Sequence, residues 1–227
     1  MVLNGEEHLE QAILSVINQP YEQLEYIVID GGSSDGTLDI IRRYEGQIDS
    51  WVSEPDEGIY DAMNKGWAAS RGEYVYYLGA DDVLLTLPVL SLAEARRNGV
   101  DLIYGDVCLS NGRYFKSRYG MELLVNNSLH HQGLFLKRSL FAEPPFRKEY
   151  KVFSDFDLNQ RLYKQRKRAM AIHEPIALFR LTRTREDSRS AEFFQIVRGN
   201  FGTIVMVVSY LFLKLRGLAF RLRGWGR

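Results

Sequence analysis

Two stretches limit what this chain can fold into more than any others. Tyr26-Ile27-Val28-Ile29-Asp30-Gly31-Gly32-Ser33-Ser34-Asp35-Gly36-Thr37 and Tyr74-Val75-Tyr76-Tyr77-Leu78-Gly79-Ala80-Asp81-Asp82 are apolar, β-branched or aromatic runs that end in carboxylates. Near-continuous apolar strands belong to sheets buried on both faces, and open α/β sheets bind ligands just beyond such strand ends. Two acidic strand ends therefore predict one polar site. The first leads into a helix from near Thr37, with Leu38, Ile40, Ile41 and Tyr44 on one face. Gly31, Gly32 and Gly36 allow the tight turn between strand and helix. A carboxylate only accepts hydrogen bonds, so Asp30 suits the N–H or O–H groups of a base or ribose. The same residues also read as a plain strand, glycine turn and helix cap by Asp35 or Thr37.

Asp81 and Asp82 are adjacent acids, which repel each other unless a cation or hydrogen-bond donors compensate them. Hard oxygen ligands on a short loop suit Mg2+ or Mn2+, which keep waters and take one or two protein carboxylates plus substrate phosphates. The pair predicts a metal site completed by a diphosphate. An ordinary acidic turn is the competing reading.

Asp30 to Thr37 is followed in order by Glu54-Pro55-Asp56-Glu57-Gly58-Ile59-Tyr60-Asp61-Ala62-Met63-Asn64-Lys65-Gly66, Gly72-Glu73-Tyr74, Ala80-Asp81-Asp82, His131-Gln132-Gly133 and Ser154-Asp155-Phe156-Asp157-Leu158. This ordered set resembles the family 2 glycosyltransferases, and within them the bacterial branch that builds surface polysaccharides. The resemblance covers residues 1 to 180. It implies an α/β fold, a single Rossmann-like nucleotide-sugar-binding sandwich of the glycosyltransferase A type. It also implies inverting, metal-dependent transfer from a nucleoside diphosphate sugar, expected to be a UDP-sugar, to a sugar or lipid-linked glycan acceptor.

Residue roles follow from the same resemblance. Asp30 contacts uracil or ribose, Asp56 and Asn64 line the nucleotide pocket, and Asn4 belongs to the donor site. Asp81 holds ribose or metal, and Asp82 is the main ligand of Mg2+ or Mn2+ at the diphosphate. Asp155 is the catalytic base that deprotonates the acceptor hydroxyl, with Asp157 as competitor. Leu158 and Leu162 at i, i+4 define a helix that starts near Asp155. An acid there is also favoured merely by the helix dipole. His130 and His131 open the apolar run Gly133 to Leu136. His131 is then an acceptor or metal contact, or a hydrogen-bonded structural histidine.

Charge excludes one class of partner: 29 Lys+Arg balance 29 Asp+Glu, so nothing global argues for nucleic acid. At 227 residues the chain fits one domain plus an appendage, expected as a catalytic domain over 1–185 and a helical tail over 186–227. The single Cys108 excludes an intramolecular disulfide framework and reads as a strand-packing hydrophobe in a reducing compartment. Phe201 to Leu213 is almost wholly apolar, after which Lys214, Arg216, Arg221, Arg223 and Arg227 alternate with Leu215, Leu218, Phe220 and Trp225. The run falls short of the roughly 20 residues a bilayer crossing needs. An apolar face with a cationic rim predicts an in-plane helix on anionic lipid over 200–227; a helix docked on the domain or on a second subunit is the alternative. The expected location is cytoplasmic, peripheral on the inner face of the plasma membrane, in service of the cell envelope.

The N-terminus departs from the family pattern. Asn4-Gly5-Glu6-Glu7 reads as a cap with an acid three residues on, leading into a helix striped by Leu9, Ala12, Ile13, Val16 and Ile17. Only Met1, Val2 and Leu3 stand where the family has a full first strand. The expectations are a misassigned start, a cut chain, or a sheet lacking most of a central strand, with backbone groups unpaired. No signal peptide is read. Farther on, the sequence predicts an amphipathic segment Leu87 to Asn98, a strand Asp101 to Asp106 and a hairpin at Asn111-Gly112. A loop Tyr114 to Asn127 borders the acceptor, and closing strands Ala169 to Ile172 and Ile176 to Phe179 flank Glu174-Pro175. Two other functions compete. A sugar-1-phosphate nucleotidylyltransferase wants a basic, glycine-rich loop near the N-terminus, and Asn4 to Gln19 holds no Lys or Arg. A catalytically inactive, nucleotide-binding partner in a polysaccharide assembly complex fits the shortened first strand.

Overall fold

The structure is a computed structural model and describes residues 1–181 and 189–224. Strands β1 (Ile27–Asp30) and β2 (Ser50–Ser53) pair in parallel, from Ile27 opposite Ser50 to Asp30 opposite Ser53. Parallel strands need a crossover, and α2 (Thr37–Arg43) provides it. Helix α1 (Leu9–Ile17) lays the expected stripe of Leu9, Ala12, Ile13 and Val16 onto the core. Helix α3 (Ile59–Ala69) packs on β1, with Gly66 against Ile29.

A six-stranded mixed sheet follows: β3 (Tyr74–Tyr76), β4 (Val83–Leu84), β5 (Leu102–Leu109), β6 (Tyr114–Phe115), β7 (Leu134–Lys137) and β8 (Ala169–Phe179). Its order is β3-β7-β5-β8-β4, with β6 folded back on β5 through the expected Asn111-Gly112 turn. Helix α4 (Val89–Asn98) matches the amphipathic segment. The two expected closing strands are one strand, β8, and the sequence punctuation between them is a register slip: β8 irregularly passes β5 around Asp106, which faces Pro175. Proline has no N–H for the ladder, so pairing steps past it rather than ending.

The expected cap at Asn4 does not form. Helix α1 begins after His8 with no side-chain cap. Asn4, in the left-handed region at φ 51, instead accepts the Ser34 N–H at 2.9 Å, and Glu6 accepts the Gly36 N–H at 2.7 Å. Short polar side chains tolerate that backbone and bond to local loops; here the loop is the one after β1.

Val2 alone bridges to β1, donating to the Ile29 carbonyl and accepting from the Gly31 N–H, both at 2.9 Å. The Met1 α-amine donates to the Leu78 carbonyl at 3.2 Å. Between β1 and β3 lies a cavity of about 1050 Å3, walled by Val28, Ile29, Tyr76, Leu78 and, from α1, Leu9, Ala12 and Val16. The amine sits inside it, and burial lowers its pKa to about 6.

Helix α5 (Ser154–Lys164) carries Asp155, and α6 (Arg189–Phe201) fixes α5 in place. Phe156 and Phe193 stack at 4.6 Å and 9°. Glu192 accepts the N–H groups of Lys151, Val152 and Phe153 at 2.9, 2.9 and 2.6 Å, bracing the segment that leads to Asp155. The expected boundary after residue 185 lies outside the described residues, but α6 packs as part of the α/β body. Gly202, at φ 86, then breaks the apolar run, and α7 (Thr203–Gly224) follows. Val205, Met206 and Leu213 of α7 pack inward, and Ser209 Oγ donates to the Val125 carbonyl at 3.1 Å. Ile204, Val208, Leu211 and Leu215 stay exposed at 81, 51, 53 and 66%. Among the described residues no helix is long and apolar enough to cross a membrane. Trp225 and Arg227 lie outside the described residues, as do the side chains of Arg216, Leu218, Phe220, Arg221 and Arg223.

Candidate active site

The end of β1 supplies an anchor rather than an open carboxylate. Asp30 is 0% exposed. It accepts from the Gly32 and Ser33 N–H groups at 3.2 and 3.1 Å and from the Ser53 hydroxyl at 2.6 Å, with Ser33 Oγ on its other oxygen. Burial works to raise its pKa, but these donors outweigh burial and leave the carboxyl below its ordinary value. Asp30 thus holds its own glycine turn shut, and no surface remains for the expected uracil or ribose contact. Asp56 is the more open acid here. Its Oδ1 accepts the Gly58 N–H at 2.9 Å, and its Oδ2 lies so near Gly31 that a Cβ there would collide with it. Asn4 braces the same turn from the far side. Asn64 differs from the expectation as well. It donates to the Phe146 carbonyl at 2.8 Å and accepts the Phe146 N–H at 3.0 Å, so both ends of its amide are spent on a loop rather than on the pocket.

The second strand end gathers Asp81 and Asp82 in the turn before β4. Asp82 is 1% exposed and accepts from the Arg180 N–H at 2.8 Å and from Gln132 Nε2. Burial, joined by the charge of Asp81, pushes its carboxyl above the usual range, even against those donors. Arg180, just past β8, also donates from Nη1 to the Asp81 carbonyl at 2.6 Å. Gly79 is required by close approach: a Cβ on it would run into Asp82 Oδ2.

The third component is Asp155, in the first turn of α5 and 9% exposed. Its Oδ1 accepts the Phe156 N–H at 2.8 Å and lies 3.2 Å from the Tyr60 hydroxyl, which also reaches the Val152 carbonyl at 2.8 Å. Among the described residues its Oδ2 has only long neighbours, Asn127 Nδ2 at 3.4 Å and His131 Nδ1 at 3.5 Å. Asn159 donates to Asn127 Oδ1 at 3.2 Å and so turns the Asn127 amide N–H2 toward Asp155. Burial tends to raise the Asp155 pKa, yet the His131 contact and its charge prevail and the acid sits below its ordinary value. Asp157 is engaged elsewhere, buried with Arg147 at 3.3 Å, Arg161 at 2.8 Å and Asn200 at 3.1 Å. His130 is a structural histidine: its Nδ1 accepts the Gln132 N–H at 3.2 Å, its ring stacks on His131, and burial drives its pKa down to about 3.

The sequence profile described as Glycosyl transferase family 2 matches residues 1–168, most of the chain. The chain belongs to glycosyl transferase family 2. A PGL/p-HBAD biosynthesis glycosyltransferase of Mycobacterium tuberculosis H37Rv is 31% identical over 170 residues, 71% of this chain and 66% of that protein. This family 2 chain therefore spans just under two thirds of such relatives. The crystal structure of S. aureus TarS 1-349 in complex with UDP superposes with a TM-score of 0.68 at 17% identity, over 92% of this chain and 63% of that one. The mannosyltransferase PcManGT of Pyrobaculum calidifontis, in complex with GDP-Man and Mn2+, gives 0.63 at 18%, over 92% and 67%. At these identities the likeness establishes the glycosyltransferase A-type fold alone.

As a family 2 site, the acid pair fits a hard divalent cation in one respect. Asp82 is a buried carboxyl held above its normal range, and a cation reverses that displacement. Among the described residues no three His, Cys, Asp or Glu converge on one point. A Mg2+ or Mn2+ ion that takes two carboxylates and completes its shell with phosphate and water suits such a sparse set. The sequence assigned no role to Gln132, Arg180, Tyr60 or Asn127, although Tyr60 and Gln132 lie inside the motifs that carry the resemblance; Arg180 had one signal, a cation directly after a strand.

Proposed function

We propose that this chain performs inverting transfer of a sugar from a nucleoside diphosphate sugar, UDP-linked by preference, to a sugar or lipid-linked glycan in polysaccharide biosynthesis. The observation that carries the reading is Asp155: a nearly buried acid kept in its ionised form, with Oδ2 loosely held. A base must be ionised to take a proton and must have an oxygen free to receive it. Oδ2 accepts the acceptor hydroxyl's proton as that oxygen attacks the anomeric carbon, while Tyr60 and the Phe156 N–H fix Oδ1. Asp82, with Asp81, would hold Mg2+ or Mn2+, which when bound neutralises the charge growing on the leaving diphosphate. Asp56 is read as the nucleoside contact beside the glycine turn, which is held in shape by Asp30 and Asn4. Support for UDP comes from the TarS complex, and for a divalent ion from the PcManGT complex. The outer face of α7, apolar and followed by a stretch with no acidic residue, is read as a contact with anionic lipid.

Screening nucleotide sugars for metal-dependent release of nucleoside diphosphate identifies the donor. With that donor, Asp82→Ala should abolish turnover and metal-dependent nucleotide binding with the fold retained. Asp155→Asn should cut turnover by 100-fold or more, on the order of a lost general base, with donor affinity kept. Full activity of Asp82→Ala in chelator, or weakened donor binding by Asp155→Asn at an unimpaired saturated rate, defeats the assignment.

A further inference from the structure

One short turn touches both halves of the site. His131–Gly133 forms a single turn of 3-10 helix, capped by His130, whose Nδ1 takes the Gln132 N–H. The turn has little freedom. Gly133 lies so close to the Gly105 carbonyl of β5 that a Cβ would strike it, the Tyr76 hydroxyl donates to the Gln132 carbonyl at 3.0 Å, and His130 is wedged edge-on between Phe115 and Phe179. From this fixed base, two adjacent side chains diverge. Gln132, 1% exposed, donates from Nε2 to Asp82 Oδ2. His131, its ring stacked at 5.0 Å and 21° on His130, places Nδ1 3.5 Å from Asp155 Oδ2.

We propose that His131 is a positioning residue for Asp155, and that the His130–Gly133 turn sets the relative placement of the donor-side and acceptor-side carboxylates. This rests on the roles assigned above to Asp82 and Asp155. The His130 stack leaves the His131 ring few orientations, and side chains held by packing position a reacting group better than free ones. An Nδ1–H aimed at Oδ2 keeps that oxygen turned to the cleft without consuming it, because 3.5 Å lies beyond a full hydrogen bond. Asn127 guards the same oxygen from the other side at 3.4 Å.

The test measures His131→Ala, His131→Asn, Asp155→Asn and the double variant His131→Ala/Asp155→Asn. Each full chain is assayed for saturated turnover of the screened donor and, by calorimetry, for UDP binding in Mn2+. His131→Ala should lower kcat about tenfold or more with KM and UDP affinity within twofold of the parent. His131→Asn, which retains an N–H at the same reach, should recover most of that loss. In the Asp155→Asn background His131→Ala should cost nothing further, since what it positions is gone. A His131→Ala variant that loses UDP or Mn2+ binding at unchanged kcat overturns the inference and moves the residue to the donor side. Additive losses in the double variant overturn it equally. Full turnover by Asp155→Asn alone would instead defeat the proposed base, and this inference with it.

Discussion

Asp30 ends β1, Asp82 stands directly before β4, and both have almost no exposed surface, yet their carboxyls are displaced in opposite directions. Burial acts to raise each. Asp30 overcomes it with donors from its own turn and from Ser53, whereas Asp82 has the Arg180 N–H and Gln132 against the added charge of Asp81. An acid satisfied by its own loop is structural, and one left short of positive charge is poised for a ligand. The same reasoning at His130 gives a stability prediction. Its folded pKa of about 3 lies below the unfolded value, so the unfolded chain binds the extra proton and stability falls as pH drops below about 6.5. From pH 7 to pH 5 the cost should be about 1 to 2 kcal/mol in a urea titration. His130→Phe should flatten that pH dependence; an unchanged slope would show the proton goes elsewhere.

Among the elements, the gap between β1 and β3 stands out because Val2 bridges only to β1, and the Met1 amine alone reaches Leu78 beyond β3. A buried amine whose pKa falls from 8.0 to about 6 is neutral in the fold but protonated in the unfolded chain between those values. Stability should thus rise as pH goes from 6 to 8, by roughly 2 kcal/mol in all. Adding about five alternating β-branched residues ahead of Met1, at roughly 3.3 Å each, would turn the amine into an amide and run an apolar strand through the cavity. Melting temperature should climb and the pH 6 to 8 slope should vanish. An extension that leaves both as they were would mean the cavity does not accept a strand. The elements themselves were readable where local pattern rules: the stripe of α1, β1 with its glycine turn, α5 from Leu158 and Leu162, the Asn111-Gly112 hairpin. Asp82 and Asp155 were readable as candidates because each lies at the start of an element, Asp82 just before β4 and Asp155 in the first turn of α5. Gln132 and Arg180 were not, since they reach Asp82 from 50 and 98 residues away and no local periodicity encodes that meeting. Asn64 misled because a motif position fixes a residue's place on α3 but not the loop that claims its amide.

At the scale of the whole molecule, α6 and α7 divide the work of the C-terminal segment. The first braces Asp155 through Glu192, and the second turns an uncovered apolar row outward. Burying Ile204, Val208 and Leu211 at a lipid surface is worth roughly 1.5 to 3 kcal/mol per side chain when complete, and each basic residue nearby adds about 1 on anionic lipid. The triple substitution Ile204→Glu, Val208→Glu, Leu211→Glu should therefore abolish co-sedimentation with phosphatidylglycerol vesicles and leave donor hydrolysis intact. Equal pelleting of parent and variant would hand that face to a protein neighbour. Truncation is the poorer tool, because a cut at 200 removes Asn200, which Asp157 and Gln160 both engage.

The Val2 bridge has a further consequence for how the molecule opens. Val2 bridges to β1 alone, and among the described residues the β1–β2 pair shares no ladder with the six-stranded sheet, so the two need not unfold as a single cooperative unit. Amide protons on β1 and β2 should exchange with solvent well before those on β5 and β7, so the half beside Asp56 can loosen and re-form while the half that carries Asp155 stays folded.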